Sequence, residues 1–160
     1  MNAQKLKRMT QGGMLLSLTA ILTAFIRVPL PVGYAHLGDG AVILSGVLLG
    51  PFGAACAAAG TVLADILSGY PIYIPFSIVV KALMALAAGR WLGGRGGVRR
   101  RKLFILAGIM LLVPAGYFPA DVLFYGMQPA LFSLAGNFGQ AAVGFAVSAL
   151  LLNASVFRRK

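Results

Sequence analysis

A chain of 160 residues is the length of one domain, and here 59% of it is hydrophobic, 11% is charged and the mean hydropathy is +0.89. Ordinary soluble domains carry roughly 25% charged residues, and a water-soluble fold this small cannot hide so much apolar surface. Soluble-enzyme classes are therefore excluded, and an all-α integral membrane protein is expected. The formal charge of +11 is not a nucleic-acid signature, because the basic residues flank apolar segments, where anionic headgroups attract them.

Twelve of the 14 basic residues fall in three clusters. These are Lys5, Lys7 and Arg8; Arg90, Arg95 and Arg99 to Lys102; and Arg158 to Lys160. The excess of Lys and Arg in cytoplasmic loops places all three clusters inside, so an even number of spans separates any two of them. No A-x-A site follows the first apolar run, so the N-terminus does not read as a cleaved signal peptide. Span one is expected from about Thr10 to Val28, stopped by Pro29 and Pro31. Span two begins near Asp39 and ends at Gly50-Pro51, only about a dozen residues on. Span three covers Phe52 to Ser68. Gly69-Tyr70-Pro71 makes a turn, and Pro75 occupies the first turn of span four, where its missing N–H costs nothing. Span four runs to Leu92, and Gly93 to Gly97 form a flexible cytoplasmic loop. Span five runs from Leu103 to about Tyr125, and span six from Pro129 to Phe157. The expectation is one transmembrane domain, residues 1–160, of six helices with both termini in the cytoplasm.

The polar residues inside these spans are few and unevenly placed. Asp39, Asp65 and Asp121 fall near the outer ends of spans two, three and five. Lys81 is about seven residues into span four, roughly 10 Å deep at 1.5 Å per residue. Asn137 and Gln140 are eight to eleven residues into span six, and Tyr117 and Tyr125 flank Asp121 by a helical turn each. Charged groups inside a bilayer mark pathways, ligand sites or internal pairs. A channel would carry polar groups through its full thickness, and a proton pump an acid near the midplane. The pattern instead describes a pocket open on the outer side and closed below. Its size and chemistry suit a small, flat, polar ring compound, with loops rich in Pro, Gly and Tyr as a lid.

Several residues admit a structural reading beside this one. Lys81 can pair with Asp65 or Asp121 or contact a ligand, and Asp39 can cap span two. Asp65 can be interfacial, and Asn137 with Gln140 can bond between helices. Arg27 can snorkel to the headgroups. His36 reads as solvated or as part of the lid, and Tyr70 and Tyr73 as interface or lid aromatics. Cys56, the single cysteine, reads as a small packing residue. Small residues Ser17, Ala20 and Ala24 in span one, after Gly13, serve close helix packing or docking of a partner. No GxxxxGK[ST], HExxH or GxSxG occurs, so the chain is not expected to be an enzyme or to hydrolyse ATP. Any ATP-driven motor must be another chain.

The segments His36-Leu37-Gly38-Asp39, Leu49-Gly50-Pro51-Phe52-Gly53, Ala64 to Tyr70, Lys81-Ala82-Leu83-Met84, Gly116-Tyr117-Phe118 with Asp121, and Asn137-Phe138-Gly139-Gln140 carry a resemblance. Together they resemble the substrate-binding S components of energy-coupling factor (ECF) vitamin transporters, over about Met14 to Leu152. The resemblance implies a six-helix S-component-like bundle in a bacterial cytoplasmic membrane, with no cofactor. It implies capture of a vitamin or precursor of riboflavin, hydroxymethylpyrimidine or pyridoxine type. The expected ligand residues are Asp39, Tyr73, Lys81, Tyr117, Asp121, Tyr125, Asn137 and Gln140. It also implies a membrane coupling subunit (T component) and two cytoplasmic ATPases as partners, docked through the face carrying Ser17, Ala20 and Ala24. The competing reading is an independent small oligomeric transporter or channel without ATPases.

Overall fold

A computed structural model describes residues 2–29, 34–93 and 99–153. Among the described residues the chain forms a bundle of seven helices and one pair of short antiparallel strands (the hairpin). In order these are α1 (Ala3–Ala24), β1 (Arg27–Pro29), β2 (Tyr34–His36), α2 (Asp39–Leu49), α3 (Pro51–Ser68), a 3-10 turn (Pro71–Tyr73), α4 (Ile74–Trp91), α5 (Arg99–Met110), α6 (Leu112–Tyr125) and α7 (Met127–Asn153). Most of the expected loop Gly93 to Gly97, with Arg95, lies outside the described residues, as do Pro31 and the cluster Arg158 to Lys160.

Local chemistry explains most boundaries. Asn2 caps α1 by accepting from the Gln4 amide at 3.2 Å, so the helix starts well before the apolar run. It also ends four residues earlier than expected. Residues 27–29 pair antiparallel with 34–36, Arg27 opposite His36, and so leave the helix before Pro29 is reached. Gly50, at φ +59°, turns the chain between α2 and α3 in a conformation that only glycine adopts freely. Pro51 then opens α3 at a position that needs no amide donor. The expected fifth span starts at Arg99 and is interrupted at Leu111. Pro114 has no N–H to give the Met110 carbonyl, so the helix is broken there although Leu111 and Ala115 still bond along it.

Among the described residues, four helical stretches are long and apolar enough to cross a membrane: Pro51–Ser68, Pro71–Trp91, Arg99–Tyr125 and Met127–Asn153. α2, at 11 residues, is shorter than the about 20 residues that span a hydrocarbon core. The surface is that of an all-α membrane protein. Phe132, Leu123 and Leu150 are more than 70% exposed, whereas Asp39, Lys81, Asp121 and Gln140 are buried. Water would reverse this distribution, and lipid permits it. Val42, Ile43, Met84, Leu106 and Val113 form the packed core. Within it α2 and α4 approach so closely that a Cβ on Gly46 would fall on the Ala85 carbonyl. That contact fixes the register of the two helices.

Candidate functional site

The α2–α4 register brings Lys81 to Asp39. Asp39 lies seven residues from Gly46, about 10.5 Å along the axis, and Lys81 four residues from Ala85, about 6 Å. The long lysine chain spans the difference. Its Nζ donates to Asp39 Oδ1 at 2.6 Å, with both side chains fully buried. The partner is therefore Asp39, not Asp65 or Asp121. Nor does Asp39 cap α2: Gly38 occupies that position, and no side chain bonds the first amides. The Asp39 carboxylate instead serves as counter-ion to the buried ammonium, which would otherwise be stranded without one.

Two further residues complete this first cluster. Gln140 Nε2 donates to Asp39 Oδ2 at 2.9 Å and lies 3.1 Å from His36 Nε2. The Gly38 amide donates to His36 Nδ1 at 3.1 Å. His36 is thus buried beside the ion pair rather than solvated. Removal from water lowers its pKa from 6.5 to about 4; Asp39 acts to raise it and Lys81 to lower it further.

A second cluster surrounds Asp121. Tyr73 Oη donates to Oδ1 at 2.5 Å and Ser133 Oγ to Oδ2 at 2.6 Å. Asn137 Nδ2 approaches the same Oδ2 at 3.4 Å. Tyr73 is ringed by aromatics: its centroid is 6.1 Å from Tyr117, 5.7 Å from Phe124 and 6.2 Å from Tyr70. Tyr125, partly exposed, stacks on it at 6.4 Å and 29°. Tyr117 joins the clusters, with Lys81 Nζ 5.3 Å from its ring and Ser77 Oγ 3.0 Å from its hydroxyl. α7 joins them again: Asn137 serves Asp121, and Gln140, about one turn on, serves Asp39.

All eight expected ligand residues therefore gather at one end of the bundle. Asp65 is buried on α3 within electrostatic range of Lys81 and Tyr117. Sequence reasoning missed Ser77 and Ser133, which are too common in apolar helices to signal anything alone. The sequence also reads His36 as solvated or part of the lid, although its place three residues before Asp39 is the available clue.

A cavity of about 360 Å³ opens between the hairpin and α7. Val28, Ala35, Gly136, Gly139 and Val143 make it mostly apolar, and Arg27, His36 and Gln140 give it polar atoms. It therefore communicates with the first cluster directly. Apolar walls with a few placed polar groups, at the small end of the usual size range, describe a small-molecule site.

The expected docking residues divide. Ser17 is exposed, but Ala20 and Ala24 are buried within the chain. α1 turns the face bearing Gly12, Leu15, Thr19, Ala20 and Thr23 inward. A Cβ on Gly60 of α3 would meet the Leu16 carbonyl and Thr19. The outward small residues are Gly13, which has nothing within 4 Å of an added Cβ, and Ser17.

A family model described as the S component of the ECF-type riboflavin transporter matches residues 3–156. A Pyrococcus woesei protein, described as an uncharacterised protein in a gap 3′ region, is 30% identical over 131 residues. That similarity covers 79% of this chain and 86% of the relative.

Proposed function

We propose, from the premise that this chain belongs to the family of ECF-type riboflavin transporter S components, that it captures a small heteroaromatic vitamin or precursor at the outer face of a cytoplasmic membrane. The observation that carries this reading is the gathering of buried polar side chains at one end, beside a cavity that reaches two of them. Asn137 and Gln140 offer amides to ring nitrogens and hydroxyls. Asp39, Lys81 and Asp121 supply charge, and Tyr73, Tyr117 and Tyr125 supply flat surfaces. A volume of about 360 Å³ suits a small compound of one to three rings. Riboflavin, hydroxymethylpyrimidine and pyridoxine are the compounds to test.

The same proposal sets the topology. Six spans result if α1 and the short α2 each cross and α5 with α6 counts as one. The basic ends then lie inside, with both termini, and the polar end outside. The chain carries no phosphate-binding loop, so energy for release comes from two cytoplasmic ATPases through a membrane coupling subunit. That subunit docks on the outward face of α1 at Gly13 and Ser17, with Ala20 and Ala24 setting how α1 is seated behind it.

Asn137→Ala and Gln140→Ala in the detergent-purified chain should each weaken ligand binding at least about tenfold, or about 1.4 kcal/mol. Unchanged affinity in both variants would remove the site from this cluster. Uptake by proteoliposomes containing the chain alone would favour an independent transporter.

A further inference from the structure

The opposite end of the bundle holds a second cavity, of about 290 Å³. Gln4, Lys7, Arg8 and Gln11 of α1 line one wall, and Leu48 and Leu49 at the end of α2 the other. The four α1 residues have the spacing i, i+3, i+4, i+7 and so share one helical face. We infer that this cleft binds the phosphate of an anionic phospholipid.

Arg8 is already positioned. One guanidinium N–H donates to the Leu49 carbonyl at 3.2 Å, and the group lies 5.4 Å from the centre of the Phe52 ring. An arginine has five N–H donors, so most stay available to an oxygen-rich anion. Lys7 adds a second cation, and the amides of Gln4 and Gln11 add neutral donors. No side-chain carboxylate lies beside the cleft among the described residues. The chain's acids are Asp39, Asp65 and Asp121 alone. Asp39 lies ten residues from Leu49 along α2, about 15 Å away at the other end. Asp65 and Asp121 are buried far along their helices, toward the same end as Asp39. The three acidic side chains leave the counter-charge to a bound anion.

Two features favour a lipid over free phosphate. Leu48 is 48% exposed at the mouth of the cleft, where an acyl chain rather than water would satisfy it. The same face of α1 continues into Met14 and Leu18, 67% and 40% exposed, a track for a fatty chain below the headgroup. The position also suits a bilayer boundary. Gly89 of α4 lies against Gly46 and Gly50, so Arg90 and the exposed Trp91 share this end. Aromatics and basic residues mark such boundaries. Basic pockets between helices there take anionic headgroups.

The test uses the full chain in a neutral detergent, titrated with short-chain phosphatidylglycerol, short-chain phosphatidylcholine and inorganic phosphate. Phosphatidylglycerol should bind saturably, more weakly as salt rises. Lys7→Gln and Arg8→Gln should each lower its affinity about fivefold, the worth of one surface charge at a membrane. Lys7 makes no hydrogen bond or ion pair among the described residues, so its variant should fold even if the Arg8 variant does not. Removing the same charge elsewhere, by Arg100→Gln, should change affinity less than twofold. Equal losses in all three variants would mean diffuse charge attraction and would overturn the site. So would equal binding of phosphatidylcholine, or inorganic phosphate competing as well as the lipid. Absence of any phosphatidylglycerol binding would overturn it too, leaving the cleft to an acidic group of a partner chain.

Discussion

Lys81 illustrates how burial dictates partnership. A fully buried ammonium in lipid-surrounded protein needs an anion within reach, and Asp39 at 2.6 Å supplies it. Lys81→Met strands that carboxylate, and breaking a buried pair costs about 3–5 kcal/mol. The variant should therefore unfold well below the wild type in thermal scans, and adding Asp39→Asn should recover most of the loss. If the single variant is as stable as the wild type, the pair has no structural role. His36 makes a prediction in pH. Its folded pKa is about 4 against an ordinary 6.5, so between these values the unfolded chain takes up a proton that the folded chain does not. Stability should be fully present above pH 6.5 and fall as the pH drops toward 4. His36→Gln should flatten that slope in unfolding midpoints measured against pH; an unchanged slope would assign it to other groups.

At the scale of elements, α1 shows what a one-dimensional reading captures and what it loses. The stripe Gly13, Ser17, Ala20, Ala24 is legible as small residues at helical spacing. Which side of it faces the bundle is decided by α3, through Gly60 against Leu16 and Thr19, and no pattern within α1 encodes that. Ser17→Trp should leave ligand binding within about twofold but abolish uptake in the reconstituted transporter. Ala20→Leu should instead lower thermal stability by the about 1–3 kcal/mol typical of an overfilled core. If Ser17→Trp uptake is normal, the outward face of α1 is not the docking surface. The paired strands 27–29 and 34–36 are not legible in the sequence because three-residue strands carry no periodicity. The Leu111 break escaped because Pro114 acts four residues upstream of itself. By contrast, α2, α3 and α4 were legible almost to the residue, since Pro51, Gly69 and Pro75 punctuate them. The polar residues that gather at one end of the bundle were legible because polar side chains in apolar helices are rare. Their pairing was not, because it depends on the register that Gly46 and Ala85 impose.

Across the whole molecule, charge and polarity separate along the bundle axis. One end holds the buried acids, Lys81, the amides and the tyrosines. The other carries Lys7, Arg8, Arg90 and Arg99 to Lys102, with no acid beside them. Between them the outer surface is aliphatic and aromatic, as at Leu67, Val79 and Phe132. A body of this kind buries its polar groups at one end while presenting lipid with little else to solvate. On the proposed function, binding is separable from transport. The most direct test is a calorimetric titration of the isolated, detergent-purified chain with riboflavin, hydroxymethylpyrimidine and pyridoxine, without ATP or partner subunits. One compound should bind saturably at a single site with a Kd below about 1 μM, equivalent to about 8.2 kcal/mol. Failure of every compound to saturate the chain would contradict its role as the vitamin-capturing subunit.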